Sequence, residues 1–176
     1  MKNILYVAIA MLVLASCEKP NKIGFVDNGV VINDYQEKID LEAKYKAKDE
    51  AFRKRADSIG LAFQTEAQKT QAEAQRIARS NRKKAEELMT GLQQKQQQLQ
   101  QQMQVEQQQL TQAFQADIDS VIVKVKDFVG AYGKTNGYNY ILGTSEAAAT
   151  VMYGDEKSDL TKTIVEAINA DYKKAE

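Results

Sequence analysis

Between Leu41 and Tyr132 the chain contains no Pro and only three Gly, at Gly60, Gly91 and Gly130. Within that span the apolar residues keep a period that suits helices. Leu88, Leu92, Leu99, Met103, Leu110, Phe114, Val121, Val125 and Tyr132 are separated by alternating steps of 4 and 7. Leu41, Tyr45, Phe52, Ala56, Phe63, Ala67, Ala74, Ala78 and Ala85 are separated in the same way. Each series is an 11-residue repeat, about 3.67 residues per turn, slightly more than the α-helix's own period. Two helices packed along such seams run nearly straight or coil slightly right-handed, whereas a heptad seam would coil left-handed.

The two series are out of phase. Extending the first beyond Ala85 selects Met89, Gln96, Gln100 and Gln107, which are mostly polar. The register therefore changes between Ala85 and Leu88, and a turn nearby accounts for the change. With an outgoing helix from about residue 33 and a return to about residue 132, the midpoint falls at the turn-forming pair Ser80-Asn81. Gly91 is the rival tip, but it would leave arms of unequal length. The expectation is an antiparallel hairpin, its arm spanning 33–132 and its tip lying within 79–87. The outgoing seam ends in Ala, which buries less area than its larger members (Leu41, Tyr45, Phe52, Phe63). That leaves two readings open: a loosely held distal arm, or simply a thinner one.

The segments on either side are short. Residues 22–27, KIGFVD, read as a strand leading into the Asn28-Gly29 turn. After the Gly-rich stretch 130–137, residues 138–142 form a second strand candidate and 150–153 a third. Asp159 is placed to cap a last helix that carries Leu160, Ile164, Val165 and Ile168 on one side. A body built from 22–32 and 133–176 has too little core to be stable alone, and its strands have exposed edges. Pooling the strands of several copies is the simplest remedy; the alternative is a monomer whose small sheet packs on the base of its own hairpin. The fold class is thus mostly helical with a small β body: a long hairpin projecting from a three-stranded sheet that associates with further copies.

Two surface features stand out on the arm. Arg76, Arg79, Arg82, Lys83 and Lys84 place five cations in nine residues with no acid among them. A solvated helix end explains them; so does a contact site for anionic headgroups or acidic polypeptide. The run Gln93–Gln112 holds 13 Gln in 20 residues, yet Leu99, Met103 and Leu110 carry the seam through it. It reads as uncharged helix surface, since Gln has good helix propensity.

Composition narrows the function. The chain has no His, one Cys and equal numbers of basic and acidic residues, 24 each. Without His it lacks the side chain that titrates near neutrality and the commonest metal ligand. Nothing marks a metal or cofactor site, and Asp155, Glu156 and Asp159 are explained by a loop and a cap. An enzyme is not expected, and with no interleaved aromatics at the basic tip neither is a nucleic-acid partner.

The amino terminus addresses the chain to the cell envelope. Lys2 precedes an apolar run of 11 residues, Ile4–Leu14, which is too short for a permanent span. Leu14, Ala15 and Ser16 then lead to Cys17, the pattern of a bacterial lipoprotein signal. Residues 1–16 are read as the signal, Cys17 as the lipid-attachment residue, 17–21 as a polar tether and 22–176 as one domain. The anchor makes a membrane the first partner.

Residues 22–30 (KIGFVDNGV), 138–142 (YNYIL), 150–153 (TVMY) and 159–169, in that order around a long hairpin, resemble the ends of the Skp/OmpH-like periplasmic chaperone family. The resemblance covers essentially residues 22–170. It implies a homotrimer whose strands form a central barrel and whose arms surround a cavity that holds unfolded outer-membrane proteins without ATP. Carried over, Ile23, Phe25, Val26, Ile141, Leu142, Val151 and Tyr153 become body or trimer-interface positions. Arg76, Arg79, Arg82, Lys83 and Lys84 become the arm tip. Phe52, Phe63, Leu92, Leu99, Met103, Leu110 and Phe114 form the arm seam. The departure is Cys17, because well-known members are soluble in the periplasm. The expected function is a holdase chaperone; the alternative is a structural or adaptor lipoprotein that uses its hairpin as a spacer or docking arm.

Overall fold

The computed structural model describes residues 21–146 and 148–175. The signal, Cys17 and most of the tether lie outside the described residues. The elements in order are β1 (Ile23–Asp27), α1 (Asn28–Asn33), α2 (Gln36–Ile77), α3 (Arg82–Thr135), β2 (Tyr140–Thr144), a 3-10 turn (Glu156–Ser158) and α4 (Thr161–Ala175). The chain is mostly helical. α2 and α3 are 42 and 54 residues long, about 63 and 81 Å at 1.5 Å per residue.

The hairpin turns at Ser80-Asn81, where residues 78–80 form the bend. Asn81 caps α3, its Oδ1 accepting from the Lys84 amide at 3.0 Å. α3 continues through the whole Gln-rich run. The 11-residue seam is the buried stripe of this helix. Between Leu88 and Phe114, Leu88, Leu92, Leu99, Met103, Leu110 and Phe114 are all shielded, and Glu106 is the only other residue there that is not exposed. On α2 the shielded set includes Tyr45, Phe52, Ala56, Phe63, Ala67 and Ala74. Near the tip Ala74 and Ala85 are both buried, so the distal arm is thin and still in contact with itself.

The body packs on the base of the hairpin. Its core joins Val26, Val31, Tyr35, Leu160, Ile164 and Ile168 to Val121 and Val125 of α3. β1 and β2 pair in parallel, with Ile23 opposite Tyr140 and Asp27 opposite Thr144. α3 ends in a reversal at Gly137, whose φ of 70° is the left-handed conformation Gly adopts freely. Gly24 lies on the inner face of β1, where a Cβ would strike Leu160 and Tyr138.

Among the described residues the expected third strand is absent: the sheet has two strands, and residues 150–153 are irregular. The second edge of β1 is taken instead by the approach to α4, where the Leu160 amide donates to the Phe25 carbonyl at 2.8 Å. The outer edge of β2 is then the one available to a further strand, and 150–153 does not pair with it within the protomer. The first helix also begins earlier than expected, at Asn28, because Asp27 caps it by accepting from the Val30 amide at 3.0 Å.

A two-residue break separates α1 from α2 and sets the direction of the arm. Tyr35 offers no side-chain cap to α2. Asn169 of α4 supplies one: its Oδ1 accepts from the Gln36 amide at 2.7 Å, and its Nδ2 donates to the Asp34 carbonyl at 2.9 Å. The last helix thus holds both sides of the joint.

Candidate functional site: the hairpin arm and its tip

The arm is aligned by charge as well as by its apolar seam. Glu37 pairs with Lys124, Arg55 with Glu106, and Glu66 with Lys95, the last at 2.6 Å. In each pair the two residues lie equally far from the Ser80-Asn81 peptide, so all three report one antiparallel register. Lys44 and Asp117, 3.8 Å apart, continue the ladder. Lys44, Arg55 and Glu66 on one arm and Lys95, Glu106 and Asp117 on the other repeat at the same 11-residue interval as the apolar seam. The ladder was missed by a reading that tracked apolar residues alone; the same period applied to charges would have found it.

This has a consequence for the exposed surface. From Leu88 to Ala116 the return arm carries only two charged residues, Lys95 and Glu106. Both are held by the outgoing arm. The outward surface of that stretch therefore carries no unpaired charge and is built largely of Gln. The outgoing arm is densely charged over its body-proximal half. The hairpin thus has one ionic and one neutral strip, the latter about 40 Å long at 1.5 Å per residue.

At the base, Tyr45 is buried, stacks at a tilt on Phe114 with centroids 5.1 Å apart, and donates its hydroxyl to Asp117 at 2.8 Å. That hydrogen bond, with burial, raises the Tyr45 pKa. Nearer the body Tyr35 donates to Glu37 at 2.7 Å. Burial and then that bond push the Tyr35 hydroxyl far up. Burial opposes ionisation of Glu37, but hydrogen bonds from Lys124 and Tyr35 outweigh it and hold its carboxyl below the ordinary range.

The five expected tip residues do come together. Arg76 lies in the last turn of α2, Arg79 in the bend, and Arg82, Lys83 and Lys84 in the first turn of α3; all are exposed. Arg82 pairs with Glu86 at 2.8 Å. Among the described residues no acid pairs with Arg76, Arg79, Lys83 or Lys84. Three cations in the first turn of α3 oppose the helix dipole, an arrangement that costs a few tenths of a kcal/mol or more. Within the hairpin the Arg82–Glu86 pair offsets part of that cost. The seam positions Phe52, Phe63, Leu92, Leu99, Met103, Leu110 and Phe114 lie between the arms, half-buried. Phe63, Leu99 and Met103 line one shared groove, and Phe52 and Leu110 another.

The body positions divide by face. Val26 is 2% exposed and belongs to the protomer's own core. Ile141 packs against it from the rim. Val26 faces the protomer's own core, and Ile141, only partly buried, lies against Gly133 of α3. Ile23, Leu142 and Tyr153 are exposed, Tyr153 at 89%. Phe25 and Val151 are intermediate, and Phe25 lies over Gly154. Tyr140 and Met152 are exposed beside them and were not expected. Strand alternation would have found Tyr140, which sits opposite Ile23 on the outer face of the sheet.

Among the described residues no cluster of three or more metal-ligating side chains occurs, and no helix is long and apolar enough to cross a membrane. The family model described as outer membrane protein (OmpH-like) matches residues 22–168. No curated protein matches the chain.

Proposed function

The chain belongs to the OmpH-like family, and on that premise we propose that it is an ATP-independent holdase for unfolded outer-membrane proteins in the cell envelope. The observation that carries this reading is the neutral strip of α3. A chain awaiting insertion exposes alternating apolar and polar side chains and unpaired backbone amides. A surface with no unpaired charge neither repels nor selects such a chain by sign. Gln side chains both donate and accept hydrogen bonds, so they can meet exposed backbone in either sense.

The outer face of the sheet supports self-association. Ile23, Tyr140 and Leu142 are exposed side by side, with the outer edge of β2 next to them and Met152 and Tyr153 projecting nearby. An apolar face beside an open edge invites pairing with further copies. In a homotrimer three arms would enclose a cavity. Cys17, by its sequence context, carries the lipid. No catalytic or cofactor role is assigned to any residue. The spacer or adaptor alternative draws on the basic tip, which suits a docking contact.

The test dilutes a urea-unfolded outer-membrane barrel protein into the signal-less chain. Suppression of aggregation near one trimer per client is expected. No suppression at any ratio would sink the holdase reading, and cross-linking from the tip to one folded partner would favour the adaptor.

A further inference from the structure

The described chain begins at a fixed place. The backbone amide of Lys22 donates to Asn139 Oδ1 at 2.9 Å, and the Asn139 amide returns a bond to the Lys22 carbonyl at 2.8 Å. The Lys22 ammonium donates to the Asn136 carbonyl at 3.0 Å and lies 3.9 Å from the centroid of the Tyr138 ring. Asn136 is the residue that caps the end of α3. Lys22 is therefore pinned at the end of α3 farthest from the tip, about 81 Å from it along the 54-residue helix. From there β1 leads back toward the arm: α1 follows it, and Val31 of α1 joins the core cluster that includes Val121 and Val125, well inside α3.

Five residue steps separate Lys22 from Cys17. Even fully extended they span at most about 18 Å. The segment is far too short to run back along the arm. We propose that the anchored protein stands on its membrane by the pole that carries Lys22, with its arms directed away from the bilayer. The inference rests on the lipid at Cys17 and the trimer proposed above. Three short tethers leaving one pole of a three-fold assembly hold its axis upright, whereas a single tethered rod could lie flat. It follows that the anchoring bilayer is not the ligand of the basic tip. Arg76, Arg79, Arg82, Lys83 and Lys84 reach across the envelope, and the mouth of the arms faces chains arriving from elsewhere.

The composition provides the means of testing this. The chain has one Cys and no Trp. Protein beginning at Cys17 can be coupled through that thiol to a maleimide-headgroup lipid in vesicles that also carry a dansyl-headgroup lipid. A Trp introduced by Asn21→Trp reports on the pole, and one introduced by Ser80→Trp reports on the tip. Energy transfer to the dansyl acceptor should be strong from the pole and at least about fivefold weaker from the tip, given the length of the arm. Comparable transfer from both positions would overturn the upright orientation. Sedimentation of the same variants before coupling shows whether the trimer reading fell with it. Mass spectrometry of Cys17 in protein from the native envelope tests the anchor separately; an unacylated Cys17 would sink the anchor and, with it, the orientation.

Discussion

Replacing Asn169 with Ala should loosen the joint that aims the arm. The Asn169 side chain makes two hydrogen bonds across the break between α1 and α2, at 2.7 Å to the Gln36 amide and 2.9 Å to the Asp34 carbonyl. The first serves as the N-cap that Tyr35 cannot provide; losing such a cap costs about 0.5–2 kcal/mol. The second is an ordinary neutral hydrogen bond with a net worth of about 0.5–1.5 kcal/mol. Because water can reach the Asp34 carbonyl, the two losses together should come to about 1–3 kcal/mol. Asn169→Asp keeps the acceptor, and its negative charge suits a helix N-terminus. It gives up the donor and sets a carboxylate against the Asp34 carbonyl. Its cost should therefore fall between wild type and Asn169→Ala. Urea unfolding gives the magnitudes, and amide hydrogen exchange gives the location. Protection should fall first in the opening turn of α2, from Gln36 to Asp40, and not at Ser80-Asn81. If Asn169→Ala lies within experimental error of wild type, or if Asn169→Asp is the worse of the two, the cap does not hold the joint.

At the arm seam, Leu99→Asp or Leu110→Asp should cost about 2 kcal/mol or more by placing a charge between the arms, while Gln101→Asp on the exposed strip should cost little; thermal denaturation separates them. For the charge ladder, Lys95→Glu should cost about 0.5–1 kcal/mol, and adding Glu66→Lys should recover most of it. A double-mutant cycle with no coupling would remove the ladder from the account of register. Ile164 is fully buried, so Ile164→Ala should destabilise the body by about 2–5 kcal/mol, seen as a lower urea midpoint. Glu37 adds a pH dependence. Its carboxyl is held below the ordinary value of 4.5, so its stabilising contribution is present above that value and is lost as the pH falls through the lowered one. The Tm advantage of wild type over Glu37→Gln should be full at neutral pH and shrink below about 4.5; an advantage that grew on acidification would contradict the Glu37–Lys124 pairing.

The arm was legible in the sequence because its pattern is long and repetitive. The spacing of Leu88 through Val125 alone specifies which stripe of α3 is shielded, and the phase slip after Ala85 pointed to the turn at Ser80-Asn81. The body was less legible because its contacts are short and non-local. Asn169 gives no local sign that it caps a helix more than 130 residues earlier. The segment 150–153 has strand composition but pairs with neither edge: the approach to α4 takes the second edge of β1, and the outer edge of β2 stays open within the protomer. Val26 and Phe25 looked alike as apolar strand residues, yet alternation sends Val26 into the core and Phe25 to the opposite face. The cations at 76–84 could be placed at the tip from sequence; that no acid among the described residues pairs with most of them needed the structure.

The coincidence of the seam with the ladder makes arm length a quantised variable. Apolar contacts and the rungs Lys44–Asp117, Arg55–Glu106 and Glu66–Lys95 recur at the same 11-residue interval on both arms, the rungs mirrored about Ser80-Asn81. A matched excision of one interval from each arm would bring the next rungs into the places of those removed. The hairpin would shorten by about 16 Å with its register and its tip unchanged. A matched excision that is not a whole number of intervals would break the 11-residue phase of the patterns. The hairpin can therefore lengthen or shorten in fixed increments without redesign of its tip or its base.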